Sequence, residues 1–383
     1  MSTPPSTSKP PATSFNPYKM TSKIKNLYYR LTPSSSTTAL PTTGFAKAPA
    51  ASSLFPQTDP TADGEECLHD CASCTIKYPN KWSIDEDEEL YGHVKGWSTH
   101  LIVATGKTDW VRDVADEKGS IMEAVDKGKM KPTNGRLMLS ASNMPLPEHD
   151  TESTTVLLLP SFIILENVTP SNVPDVITNY VNSGPTNTSP LSSTALPPPS
   201  ASTSAPEQAP ASIPTAAPAL KARPCPHQYL ILLCSQKTRD ARCGQSAPLL
   251  RREFERHLRP LSLYRDLHDE RPRGVGIYFI SHVGGHKFAA NVMIYRKESS
   301  PTVSAEKPVT NGAKEANGNS GGDQERKPGE DIQGQAAQCI WLARVRPEDC
   351  ENIVRYTILQ GKVVKPGRQL RGGFDRGKQL VSW

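Results

Sequence analysis

Long apolar runs are missing from this sequence. The longest, Val156–Leu165, is interrupted by Pro160 and Ser161, and a run of about ten residues is too short to span a bilayer. No membrane partner is therefore expected. Charge of one sign is also scarce. A net charge of +5 over 383 residues gives no basic field of the kind nucleic-acid binding needs, so no nucleic acid is expected as a partner. Cysteines are few and scattered, at 67, 71, 74, 225, 234, 243, 339 and 350. That excludes a disulfide framework and points to metal or redox chemistry inside a cell. No secretory signal is visible at the start, and no Walker-type phosphate loop occurs, although Arg371-Gly372-Gly373 lies on a basic tail.

Some stretches lack what a core requires. The first 58 residues contain no Asp or Glu and are rich in Ser, Thr, Pro and Ala. Such a start suits a disordered tail in the cytoplasm, with a mitochondrial transit peptide as the alternative. Residues 185–224 hold ten prolines, and residues 297–338 have no aromatic residue. None of these can bury enough apolar area to offset its ordering entropy. The expected organisation is a disordered tail (1–60), an N-terminal unit (61–184), a Pro-rich linker (185–224) and a C-terminal unit (225–383) carrying a disordered insert (297–338).

The foldable parts read as α/β. In the second half, Tyr229–Cys234 and Val275–Ser281 are apolar strand candidates. Ala247–Leu258 carries Leu249, Leu250, Phe254 and Leu258 on one helical face, and Phe288–Tyr295 and Cys339–Val345 are further strands. A helix is expected from Pro347 to a stop at Gly361. The first half repeats this ending. Pro170 to Gly184 and Pro347 to Gly361 are both 14 residues, and HLIVATG at His100 lies beside YLILLCS at Tyr229. Two related αβ units in tandem are predicted. Thr105 falls where Cys234 falls, so only the second unit keeps the chemistry.

That chemistry is Cys234-x8-Cys243 followed by His282-Val-Gly-Gly-His286. Two thiols and two imidazoles on short spacings form a metal-ligand set, and soft thiolates with imidazole suit zinc or an iron–sulfur cluster. Four ligands from two loops meet the need of a [2Fe–2S] cluster, two for each iron, with the His pair lowering the negative charge. A Cys2His2 zinc site remains open, although eight intervening residues is wide for zinc. So does the absence of any metal, with Cys234 a core thiol and the histidines turn residues. Lys237, Arg239, Arg242 and Lys287 flank the ligands.

The segments CSQKTRDARCG, HVGGHKFAANVMIY and WLARVRPEDC resemble the fungal actin-patches-distal and sucrase/ferredoxin-like family. The resemblance implies thioredoxin-like units and a [2Fe–2S] cofactor, with Cys234 and Cys243 on one iron and His282 and His286 on the other. It implies one-electron transfer or redox sensing through an unknown redox partner, by a carrier rather than an enzyme. A coordinated imidazole keeps a ring nitrogen whose basicity follows the iron's charge, so coupling to a proton is expected. A thioredoxin-type thiol oxidoreductase and a zinc-stabilised interaction module are the competing functions. The expected compartment is the cytoplasm, with the nucleus as a second location and the mitochondrion as the alternative.

Several features fall outside this set. Cys67-x3-Cys71-x2-Cys74 matches the radical-SAM spacing, but no barrel of repeats follows. Zinc with His69 is an alternative, and exposed thiols at a domain edge are the expectation. The run Asp85–Glu89 reads as a solvated helix start, and His93 and His100 as structural. Val381-Ser382-Trp383 resembles a terminal targeting tripeptide, which implies the cytosolic iron–sulfur assembly machinery as a partner through Trp383. The alternative is packing of Trp383 on its own domain.

Overall fold

A computed structural model describes residues 44–147, 152–191, 219–285, 288–297 and 334–383. The fold is mixed α/β. Its strands are β1 (Ala46–Lys47), β2 (Thr99–Ala104), β3 (Leu137–Ser142), β4 (Thr154–Leu159), β5 (Ile163–Val168), β6 (Lys221–Pro224), β7 (Tyr229–Cys234), β8 (Tyr264–Arg265), β9 (Val275–Ile280), β10 (Val292–Lys297), β11 (Ala336–Leu342), β12 (Leu370–Asp375) and β13 (Leu380–Val381). Among the described residues thirteen strands join one sheet in the order β1-β13-β12-β11-β10-β7-β9-β3-β2-β4-β5-β6, with β8 beside β9.

The two halves of the sheet share a pairing pattern. In the first half β2 runs parallel to β3 and antiparallel to β4, and β4 is antiparallel to β5. In the second half β7 runs parallel to β9 and antiparallel to β10, and β10 is antiparallel to β11. Each last strand ends near a residue with positive φ, Asn167 at 61° or Arg344 at 57°. Each then enters a helical segment at Pro170 or Pro347, where the side chain of Asn172 or Asp349 accepts from the backbone N–H of Thr169 or Arg346, at 2.9 and 2.7 Å. Proline suits this first position because its missing N–H would have no helical acceptor.

The two halves meet at a narrow seam. Only Ser142 and Ile280 pair between β3 and β9. Side chains extend the ladder: the Phe279 N–H donates to Asn143 Oδ1 at 2.7 Å and the Ala141 N–H to Ser281 Oγ at 3.1 Å. Aromatic packing spans the halves too. Trp97 is fully buried, edge-on to Trp341 at 5.7 Å and to Phe374 at 6.1 Å. His100 is also fully buried, and its two ring nitrogens lie 3.1 Å from Tyr295 Oη and 2.9 Å from Ser140 Oγ.

Several expectations need correction. Part of the N-terminal tail is folded: Ala51–Leu54 is helical, and Leu54 and Phe55 are buried. These two apolar side chains anchor a segment whose composition otherwise suggests disorder. The linker's last residues form β6, which pairs with β5. Residues 1–43 of the tail, 192–218 of the linker and 298–333 of the insert lie outside the described residues. Asp85–Glu89 is not helical, because Glu86 is drawn into ion pairs with Arg346 and Arg368.

The basic C-terminal tail belongs to the sheet as β12 and β13. Its glycines conceal this, since glycine is poor in strands. Here they are required by contact: a Cβ on Gly373, at φ 141°, would sit 1.8 Å from the Cys339 carbonyl oxygen.

The insert leaves β10 at Lys297 and returns beside it, since Lys297 pairs with Ala336. A short connection can close that gap, and loop entropy changes only slowly with length. Deleting residues 300–332 is therefore expected to leave the melting temperature and the visible spectrum unchanged. A loss of either in soluble protein would assign the insert a structural role.

Candidate metal centre

Cys234 is the last residue of β7 and is buried by the sheet. Cys243 was expected on a loop. It instead lies in the first turn of α1 (Ala241–Leu258), whose N-cap Asp240 accepts from the Arg242 N–H. The helix expected over Ala247–Leu258 thus begins at Ala241, and Pro248 lies inside it. The helix start suits an anionic ligand, because its free N–H groups and dipole favour negative charge.

His282 follows β9 directly. Its Nδ1 lies 3.6 Å from Cys234 Sγ, and ligand atoms of Cys234, Cys243 and His282 all lie within 4.8 Å of one another. His286 lies outside the described residues. Three of the four predicted ligands are thus brought together from a strand end, a helix start and a turn. The thiols share one proton unequally. A hydrogen bond from Cys243 pulls the Cys234 thiol down, and the same contact pushes Cys243 up. Of the two, Cys234 is the readier to ionise, and the thiolate is the form that ligates metal.

The surrounding shell was not legible in the sequence. Gln236 is buried, and its Oε1 accepts from the His282 N–H at 2.8 Å while its Nε2 donates to the Val111 carbonyl at 2.5 Å. Ser235 Oγ donates to the Thr108 carbonyl at 2.8 Å, and Asp109 accepts from the Thr238 N–H and hydroxyl. The first half thus builds one wall of the site with the loop after β2. Thr105, which falls where Cys234 falls when the halves are aligned, donates to the Ser142 carbonyl and accepts from Trp110 Nε1 at 2.8 Å, which shapes that loop.

Arg371 of β12 is the second unforeseen member. It is buried, stacks 4.3 Å over Trp341, and donates to Asn291 Oδ1 at 2.7 Å and to the Gly284 carbonyl at 3.2 Å. Burial pushes its guanidinium down to about 10, opposed by the Cys234 charge, so it remains cationic. Gly285, at φ 73°, allows this clamp. A Cβ there would lie 2.5 Å from an Arg371 nitrogen. The signal available was the Arg-Gly-Gly triplet itself, which reads as phosphate chemistry only while it is taken for a loop. A cavity of about 580 Å³ opens beside His282, lined by Arg112, Arg136, Arg239 and Arg371 among others.

The N-terminal cysteines need a further correction. Cys67, Cys71 and Cys74 are only 2%, 8% and 8% exposed, not exposed at an edge. Backbone and side-chain hydrogen bonds dock their segment on the C-terminal helical region: Cys71 N–H to the Glu348 carbonyl, and Asn352 Nδ2 to the His69 carbonyl. His69 is exposed, and the Cys/His group found there is Cys71, His257 and Glu351, so a site with His69 is not supported.

The sequence model of the family described as Sucrase/ferredoxin-like matches residues 90–372, a span covering both halves and every predicted ligand. The chain belongs to the sucrase/ferredoxin-like family. Actin patches distal protein 1 of Saccharomyces cerevisiae is 29% identical over 268 residues, covering 64% of this chain and 77% of that protein. Altered inheritance of mitochondria protein 32 of Clavispora lusitaniae is 31% identical over 139 residues, and that of Meyerozyma guilliermondii 26% over 136. The match to these two covers 36% of this chain and about a third of their own length, 33% and 32%. No solved structure matches. No helix among the described residues is long and apolar enough to cross a membrane.

Proposed function

We propose that this sucrase/ferredoxin-like chain is an intracellular redox protein that carries a [2Fe–2S] cluster on Cys234, Cys243, His282 and His286. The observation that carries the reading is the convergence of two thiols and an imidazole within 4.8 Å. The donor set fits the group: soft sulfur on one side, neutral imidazole on the other. Bound there, the cluster supplies one-electron transfer. The chain's own residues set its surroundings. Cys234 and Cys243 are buried, Gln236 fixes the start of the histidine turn, and Arg371 places a cation beside Cys234. His282 faces the cavity, which gives an unknown redox partner its shortest approach.

The strand order and directions of both halves support two tandem thioredoxin-like units, over 61–184 and 225–383, with only the second binding the cluster. An anaerobic visible and electron paramagnetic resonance spectrum tests the function. A reddish-brown protein with about two irons and two sulfides per chain is expected. A colourless protein with stoichiometric zinc overturns it in favour of a zinc-stabilised module. The cytoplasm, with the nucleus as a second location, belongs to this proposal as the compartment. The name of the relatives from Clavispora and Meyerozyma favours the mitochondrion as the alternative.

Recognition by the cytosolic iron–sulfur assembly machinery through Trp383 belongs to the same proposal. In the structure that ring stacks on Trp97 at 4.7 Å, beside Gly96, so recognition requires its release. Deleting Trp383 is expected to cost roughly 1–2 kcal/mol of stability through lost aromatic packing and to lower iron occupancy in cells. Equal iron content in full-length and truncated protein from one host would leave Trp383 a packing residue alone.

A further inference from the structure

Cys71 and Cys74 take no part in the centre above. They sit near the C-terminal end of α1, whose other end carries Cys243, roughly 20 Å away at the helical rise per residue. The two form a turn. The Cys74 N–H donates to the Cys71 carbonyl at 3.3 Å, and such a turn holds its outer Cα atoms within about 7 Å, the span a disulfide needs.

Their surroundings differ sharply. Cys71 Sγ meets Arg256 NH2 at 3.3 Å, Ser73 Oγ at 3.3 Å and His257 Nε2 at 3.8 Å. A cation with flanking donors is the setting of attacking thiols. Cys74 faces Glu253 instead, and burial with that carboxylate raises its pKa. Glu253 is 2% exposed and bonded to Arg256 at 2.7 Å. A buried carboxylate beside the second thiol is placed to accept its proton. Leu68, 64% exposed, lies a few residues away.

We propose that Cys71 and Cys74 are a redox-active dithiol, distinct from the metal centre, that reduces small disulfides of the glutathione class. The Cys71 thiolate attacks one sulfur of the disulfide, forming a mixed disulfide and releasing the first thiolate. Cys74 passes its proton to Glu253 and attacks Cys71 Sγ. The Cys71–Cys74 bond forms and the second thiolate leaves. Two electrons move from the dithiol to the substrate, whose two sulfurs depart as thiols once protonated. The geometry favours this over a metal site on Cys71, His257 and Glu351, because the Arg256 guanidinium lies 2.9 Å from the His257 nitrogen and 3.3 Å from Cys71 Sγ.

The test treats full-length protein with excess oxidised glutathione and maps cysteine peptides by mass spectrometry over time. A reversible Cys71–Cys74 disulfide is expected in the wild type. Cys74→Ser should stop at glutathione on Cys71, and Glu253→Gln should accumulate that same intermediate by slowing the second step several-fold. Cys71→Ser should not react at this pair. All three variants should keep the wild-type visible spectrum and metal content, which separates this reaction from damage at Cys234 or Cys243. Failure of folded wild type to form the bond overturns the proposal, as does a bond from Cys71 to Cys67. Stoichiometric zinc that is lost in Cys71→Ser overturns it as well.

Discussion

Cys234→Ala and Cys243→Ala are each expected to yield a folded, colourless protein with less than about a tenth of the wild-type iron. In the proposed centre each thiol is one of two sulfur ligands to a four-ligand [2Fe–2S] cluster. Folding should survive, because both sites are capped by secondary structure that does not depend on sulfur: β7 pairs along its length with β9 and β10, and α1 is closed by Asp240. Iron and sulfide analysis with far-ultraviolet circular dichroism checks both halves of the statement. Full colour in either variant would remove that residue from the ligand set.

The second large effect is acid destabilisation. Burial holds His100 down at about 3 and His227 at about 4, the latter also repelled by Lys297 and Arg265. His227 Nε2 lies 3.0 Å from Tyr278 Oη. An unfolded histidine titrates near 6.5, so below that value the unfolded chain binds more protons than the folded one. Stability is therefore full above about pH 6.5 and falls as pH drops toward the folded values. At about pH 4.5 the loss is roughly 2–3 kcal/mol for each histidine, a large part of an ordinary 5–15 kcal/mol. Urea melts at neutral and acid pH measure it. His100→Gln should flatten the slope by its own share, and an unchanged slope would show that another group governs the acid limb.

The ligands could be read from the sequence because their spacing is local. A strand ending in Cys234, a thiol nine residues on and a His-Val-Gly-Gly-His turn need no knowledge of distant contacts. The two proline-led helical stretches were legible for a similar reason: proline at a start is a backbone signal, and both starts, Pro170 and Pro347, are present in the fold. What could not be read comes from far along the chain. Gln236 reaches Val111, and Arg371 reaches Gly284 and Asn291. Neither pairing leaves a local pattern. The glycines that read as a loose tail are required instead by close backbone contact in β12. The burial of Cys71 and Cys74 depends on helices that begin more than 160 residues later, so composition alone placed them at the surface.

The seam between β3 and β9 has a consequence for how this molecule can be taken apart. One residue pair joins the ladders, yet Gln236 grips the loop after β2 with one end of its side chain and the histidine turn with the other. The two halves look like separable modules by pedigree and are not separable by construction. A fragment starting at residue 225 would carry every predicted ligand and still lose a wall of the site, leaving Gln236 and Ser235 to water and β9 with a bare edge open to pairing with other chains. The half without the predicted ligands acts as a mould, fixing the shape of the candidate site that the other half carries.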